Sequence, residues 1–135
     1  VHIDDHHSAE DCAVALGSAL GAALGERRGI ARFVSAYAPL DESLARAVVD
    51  LSGRPFAVVD LGLTRDALGG LSCENIPHVV SSLAVTLRAA IHLDVLRGTN
   101  DHHRAEAAFK ALALALRAAV ARTASTQVPS TKGTL

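Results

Sequence analysis

The chain carries the same rare sequence block twice, and this constrains its fold more than any other feature. Residues 4–20, DDHHSAEDCAVALGSAL, align with residues 100–116, NDHHRAEAAFKALALAL, at an offset of 96, with nine of seventeen positions identical. Two Ala/Leu-rich helices align passably by composition alone, which accounts for the matches at the C-terminal end. It does not account for D-H-H-x-A-E occurring twice, so internal duplication is the better explanation. Each copy opens an amphipathic helix. Ala9, Cys12, Ala13, Leu16 and Leu20 recur at helical spacing in the first, and Ala105, Ala108, Phe109, Leu112 and Leu116 in the second. Ser8 or Asp5 is the expected cap of the first helix and Asn100 or Asp101 of the second. Gly25 is expected to end the first, with Arg27 and Arg28 near its negative end.

Between the copies the periodicity changes. Phe33–Leu40 reads as a strand ended by Pro39, Leu44–Leu51 as a second, and Phe56–Leu61 as a third. The Ser52-Gly53-Arg54-Pro55 turn suggests that the last two form a hairpin. Thr64–Asn75 reads as a loop, Ile76–Ala89 as a helix that tolerates Pro77 in its first turn, and Ala90–Leu96 as a strand leading into the second His-His motif. From Thr123 onward no periodic face remains, which predicts a surface loop or an arm onto a neighbour. Residues 32–122 thus read as a strand-strand-helix-strand-helix repeat, and residues 1–31 as the end of an earlier repeat, with Val1-His2-Ile3 as the stub of its last strand. Residues 123–135 form a tail. Taken with the absence of methionine, this predicts that the chain is the C-terminal portion of a longer protein.

Composition removes several function classes. The 135 residues suit one domain with a real core. Half are apolar and a fifth charged, unlike a disordered tail or a coiled-coil rod. A net charge of −1 argues against nucleic-acid binding through bulk electrostatics. No stretch reaches the roughly 18 apolar residues of a membrane span, and no secretory leader opens the chain. Cys12 and Cys73 are too few for a disulfide framework and suit a reducing intracellular compartment. Cys12, on the apolar face of the first helix, is expected in the core.

The histidines carry the chemistry. His6 and Glu10 are four residues apart and project from one helix face, while His7 points about 100° away. An imidazole and a carboxylate on adjacent turns form a bidentate claw for a divalent transition metal, with His7 free to serve a second ion. His102, His103 and Glu106 repeat the pattern. A single His pair at a helix start is more often a solvated cap, but two copies with the same glutamate reverse that preference. Nitrogen-rich ligation without thiolate favours Mn, Fe, Co or Zn over Ca or Mg. His78, on the helix preceding the second motif, could complete a site. His92 reads as structural or as a supporting partner, and His2 is too near the chain end to place. For anions the candidates are Arg32, Arg54 and Lys132, the last in a Ser130-Thr131-Lys132-Gly133 segment able to wrap a phosphate. The sequence contains no GxGxxG, Walker, nucleophile-elbow or CxxC motif.

The segments IDDHHSAED (Ile3–Asp11), RFVSAYAPLDE (Arg32–Glu42), DLSGRP (Asp50–Pro55), PHVVSSL (Pro77–Leu83), NDHHRAEAAFKALALALRAAV (Asn100–Val120) and PSTKG (Pro129–Gly133) resemble, in order, the imidazoleglycerol-phosphate dehydratase family of histidine biosynthesis. The resemblance implies an α+β fold, a duplicated β-β-α-β-α unit with four-stranded sheets and helices on one face, its first repeat truncated here. It implies a hydro-lyase that converts D-erythro-imidazole-glycerol phosphate to imidazole-acetol phosphate. Two manganese ions per active site would be held by His6, His7, Glu10, His78, His102, His103 and Glu106. Glu10 or Glu106 would move the proton, and Arg32, Arg54, Ser130 and Lys132 would bind the substrate phosphate. Identical subunits would form trimers that assemble into a 24-mer, in the cytoplasm, or in the plastid of a plant. The family carries about half a repeat more before DDHH, including further site residues. The rival expectation is a non-catalytic, metal-dependent assembly module or an inactive fragment of such an enzyme, which would have no use for Arg54 or the tail.

Overall fold

Tandem aspartates start the first helix and divide the work between them. Asp4, in extended conformation, accepts the His7 backbone N–H at 2.8 Å and so caps α1 (Asp5–Leu24). Asp5 does not cap, contrary to expectation, because its carboxylate is engaged by a distant loop. In the computed structural model, residues 4–135 are described, and the strand stub expected at Val1–Ile3, with His2, lies outside them. Gly25, with φ of 52°, closes α1 as expected. Arg27 is buried and donates to Leu87 O and Arg88 O, capping a different helix, α2 (Asn75–Leu87).

Helix α1 packs on α2 and buries only Ala13 and Gly17. The expected apolar stripe is therefore only partly used. Cys12 is exposed, not in the core, and Leu16 is 52 % exposed. Periodicity identifies an apolar face, but burial requires a partner, and among the described residues no element covers that side of α1. Close packing is possible at Gly17 because it has no side chain. A Cβ there would lie 2.0 Å from Thr86 Oγ1 and 3.0 Å from Leu87 N. Gly17→Ala should therefore cost about 1–3 kcal/mol in overpacking, more than the roughly 1 kcal/mol that alanine gains in a helix. Denaturant titration should show a lower midpoint, partly restored in the Gly17→Ala/Thr86→Ala double variant. An unchanged midpoint in the single variant would contradict this packing.

The main sheet has the order β1-β2-β6-β3. β1 (Phe33–Leu40) and β2 (Ser43–Asp50) form the hairpin, joined at Asp41-Glu42, where Asp41 takes a φ of 45°. Pro39 does not end β1. It pairs opposite Leu44 within it, as an edge strand allows. The hairpin expected between β2 and β3 (Phe56–Asp60) does not form. These strands are antiparallel, but β6 (Ala90–Arg97) lies between them, antiparallel to β2 and parallel to β3. A parallel pair needs a crossover, and α2 supplies it. The apolar run of β6, with Ile91 and Leu93 fully buried, places it in the interior of the sheet. The segment expected as a plain loop includes a small ladder, β4 (Ala67–Leu68) with β5 (Leu71–Ser72), turned through Gly69 and Gly70.

Helix α3 (Asp101–Ala119) lies across β1, β2 and β6, and α2 packs on β3. Its buried face is Ala105, Ala108, Ala111, Leu112, Ala115 and Ala119. Small side chains bring helix and sheet close together without aromatic filling. The opposite face of the sheet is open, with Phe33, Tyr37, Phe56, Val58 and Leu96 exposed. His92 lies on this open face, between Val48 and Val58 in register, away from the helices. One four-stranded sheet with its helices on a single face is the architecture expected of the second repeat.

Candidate metal centre

The first turns of α1 and α2 meet, and this brings His6, Glu10 and His78 together. One ligand atom from each lies within 4.8 Å of the other two. Glu10 sits between the imidazoles, with Oε2 3.7 Å from His6 Nε2 and Oε1 3.3 Å from His78 Nε2. The two rings stack at 4.6 Å. His78 therefore joins the first motif rather than the second. Among the described residues its Nε2 is buried without a hydrogen bond, since Glu10 approaches it without hydrogen-bond geometry, and a buried polar atom with no such partner is costly unless something else satisfies it. Two imidazole nitrogens and one carboxylate within reach of one point fit a first-row divalent cation.

Hydrogen bonds set the orientation of these rings. Asp5 Oδ2 accepts from Ser72 N–H at 2.7 Å and Asn75 Nδ2 at 2.9 Å, and these donors, the Ser72 amide first, hold the Asp5 carboxyl down at about 2. Asn75 Oδ1 lies 2.8 Å from His6 Nδ1. His7 points away, its Nδ1 2.8 Å from Asp4 Oδ1, and this hydrogen bond raises the pKa of the imidazole.

The second motif is assembled in the same way but, among the described residues, has no third ligand. His102 Nε2 lies 3.3 Å from Glu106 Oε2, with both side chains largely exposed. His103 Nδ1 lies 2.7 Å from Glu42 Oε2, while Glu42 Oε1 accepts from Thr99 N–H and Asn100 N–H. The Asn100 amide and then His103 hold the Glu42 carboxyl well below its usual range, and Glu42 raises the pKa of His103. Asp101, the repeat equivalent of Asp5, is buried and accepts from Thr64 N–H and Arg65 N–H, both at 2.7 Å. These amides lower its carboxyl pKa. A single loop, from Thr64 to Ser72, thus ties the starts of both motif helices together.

The anion candidates gather at the other end of the sheet. Arg32 is the central residue of a tight turn closed by Phe33 N–H to Ala31 O, with φ of 75°. Its guanidinium grips Asp50 through Nε at 2.8 Å and Nη2 at 3.1 Å, and donates through Nη1 to Pro129 O at 2.7 Å. Among the described residues, two of its five N–H groups have no partner. The tail then turns at Ser130, whose Oγ accepts from Lys132 N–H. It reaches Leu135, which lies against Gly53, beside exposed Arg54. A Cβ on Gly53 would meet the Leu135 carbonyl carbon at 2.6 Å, so only glycine fits there. Arg32, Arg54, Ser130 and Lys132 therefore share one region at the Ala90 end of β6. The second His motif lies beyond its Arg97 end, seven residue steps or about 23 Å away. His78 is ten residues, about 15 Å, along α2 from Arg88 at that same end. No single copy brings both groups together.

Asp4, Glu42 and Asn75 are not singled out by the sequence, and Asp5 and Asp101, expected only as helix caps, instead anchor the Thr64–Ser72 loop. Asp4 was open to recognition as an N-cap three residues before His7. Glu42 and Asn75 are distant from their partners in sequence and gave no comparable signal.

The description "Imidazoleglycerol-phosphate dehydratase" belongs to the family whose profile matches residues 1–116. The chain is 62 % identical over 135 residues to the imidazoleglycerol-phosphate dehydratase of Eremothecium gossypii and 60 % identical to that of Saccharomyces cerevisiae. In both cases all of this chain is covered, and 61 % of the relative. The chain thus spans about three fifths of the length of these relatives. Among solved structures, that of the Staphylococcus aureus imidazoleglycerol-phosphate dehydratase matches with a TM-score of 0.84 at 35 % identity, covering 88 % of this chain and 70 % of that one. The Pyrococcus furiosus structure matches with a TM-score of 0.85 at 44 % identity, covering 97 % and 72 %.

Proposed function

Because the chain belongs to the imidazoleglycerol-phosphate dehydratase family, we propose that it contributes to a metal-dependent hydro-lyase. This enzyme would remove water from D-erythro-imidazole-glycerol phosphate to give imidazole-acetol phosphate in L-histidine biosynthesis. The observation that carries this reading is the His6–Glu10–His78 cluster, with its unpartnered His78 Nε2. Manganese, two ions per site, is the proposed cofactor, and once bound it supplies Lewis-acid stabilisation of charge developing on the substrate's imidazole. His6, Glu10 and His78 would hold one ion. His7, His102, His103 and Glu106 offer ligand atoms in other directions.

Glu10 is wedged between two imidazoles, whereas Glu106 pairs with one imidazole, His102, among the described residues and is half exposed. In this chain Glu106 is the freer of the two to take a proton from the substrate carbon next to the ring. Arg54, Lys132, Ser130 and the remaining N–H groups of Arg32 would grip the phosphate and so aim the ring at the ions. The separation of metal and anion groups within one copy supports a site completed by identical subunits, consistent with trimers in a 24-mer. A cytoplasmic location, or a plastid one in a plant, belongs to the same proposal.

The test is turnover of imidazoleglycerol phosphate with manganese, using the protein as its gene encodes it. Lys132→Ala should abolish most turnover while leaving particle size by light scattering unchanged. Absence of turnover in the unaltered protein would remove the lyase reading, and normal turnover in the variant would remove Lys132 from the site.

A pH dependence follows. Ligand imidazoles must be neutral to bind metal. Asp4 and Glu42 raise the pKa values of His7 and His103, so protons compete at a higher pH than at an ordinary imidazole, near 6.5. Equilibrium dialysis should show manganese affinity already falling as pH drops from about 8 toward 6.5. Affinity flat over that range would contradict it. Metal-free stability runs the other way. The His103–Glu42 pair stabilises fully below the unfolded imidazole pKa, and its contribution fades as pH rises through the raised folded value.

A further inference from the structure

We propose that Asn75, oriented by Asp5, is a positioning residue that locks His6 in the Nδ1–H tautomer and so presents the Nε2 lone pair to the metal. The inference rests on the metal reading above and extends it to two residues outside the ligand set. The Asp5 carboxylate can only accept, and it takes Ser72 N–H and one Asn75 Nδ2 hydrogen. This settles which end of the Asn75 amide faces which way, because Nδ2 must point to Asp5. Oδ1 must then point to His6 Nδ1, 2.8 Å away. An amide oxygen has no proton to give, so the ring must donate from Nδ1. A neutral ring that carries its proton on Nδ1 has its lone pair on Nε2, the atom that faces Glu10. Free imidazole side chains in water favour the opposite tautomer, so without the relay His6 would on average offer the wrong nitrogen.

Asn75 is 3 % exposed and sits at the start of α2. A buried amide with both ends matched is a stiff support, since either mismatch leaves a buried group unpaired. The arrangement recurs with different chemistry elsewhere in the chain. His7 and His103 also have Nδ1 engaged, but by the carboxylates of Asp4 and Glu42. His6 is thus the ring held by a neutral partner. Its orientation is set without the added basicity that a carboxylate partner confers.

Two measurements test this. In metal-free protein labelled with 15N-histidine, long-range proton–nitrogen spectra at pH 8 should show His6 protonated on Nδ1. In Asn75→Leu the same ring should revert to the mixture favoured in water. Manganese affinity, by competition with a chelator, should fall about 10–100-fold in Asn75→Leu, and less in Asp5→Asn, where the amide pair retains one acceptor. A wild-type His6 protonated on Nε2 overturns the proposal, and needs no variant to fold. So does an Asn75→Leu protein with lower thermal stability but unchanged His6 tautomer and metal affinity, which would mark Asn75 as merely structural. If the wild-type protein binds no manganese, the metal reading itself fails and this inference with it. If it binds while the Asn75 variants bind equally well, only this inference fails.

Discussion

Glu10→Gln should lower manganese affinity by on the order of 100-fold or more, beyond the 10–100-fold cost of losing a supporting partner. Among the described residues the Glu10 carboxylate is the one anion between His6 Nε2 and His78 Nε2, at 3.7 and 3.3 Å. Glutamine preserves its shape but offers a neutral oxygen and a competing NH2. The side chain is 36 % exposed, so metal-free stability should change by less than about 0.5 kcal/mol. That contrast identifies a ligand rather than a packing residue. Equilibrium dialysis and metal-free melting, read together, check both halves. Stoichiometric, tight binding in the variant would disqualify Glu10.

Arg32→Ala should have the largest effect on stability, about 2–4 kcal/mol. The Arg32 and Asp50 side chains are 15 % and 31 % exposed and paired through two N–H groups. Removing one partner leaves the other charge poorly solvated. The cost sits somewhat below that of a fully buried pair because Asp50 keeps some water. The Nη1 bond to Pro129 O is lost as well, so the tail should become more sensitive to proteolysis. Arg32→Lys should recover only a part, since an ammonium cannot reproduce the planar fork. Arg32→Gly separates side chain from backbone. Glycine relieves the strain at φ 75°, typically about 1–3 kcal/mol at such a position. This variant should therefore be more stable than Arg32→Ala although both lack the guanidinium. Denaturant titrations of the three proteins check the order. Equal stability of the glycine and alanine variants would mean that the turn is not strained.

Much of the local structure was legible in the residues. Asn100-Asp101 announces a helix start, Gly25 announces a stop, and Phe33–Leu40 and Ala90–Leu96 read as strands from their apolar spacing, whereas the first helix is capped by Asp4, one residue before the expected Asp5. The errors share one cause. The expected partner of Phe56–Asp60 was its sequence neighbour, but a period-2 pattern says only which face is buried, not which strand lies alongside. Cys12 belonged to a correctly identified apolar stripe, yet burial depends on a neighbour that periodicity cannot supply. Thr64–Asn75 reads as a plain loop because its ladder is only two residues long on each side and its anchors, Asp5 and Asp101, lie far from it along the chain.

The candidate site divides along the same line. The i, i+4 placement of His6 with Glu10 and of His102 with Glu106 is a consequence of 3.6 residues per turn, so the chain order alone determined those claws. The approach of His78 to the first claw, the Asp5–Asn75–His6 relay and the Glu42 support of His103 join residues 61 to 72 positions apart around the sheet and helices. They exist only because α1 crosses α2 closely at Gly17 and because β6 enters between β2 and β3. Periodicity within a helix is a property of the covalent chain, whereas contacts between elements depend on how buried surfaces choose their partners. That choice belongs to the tertiary fold.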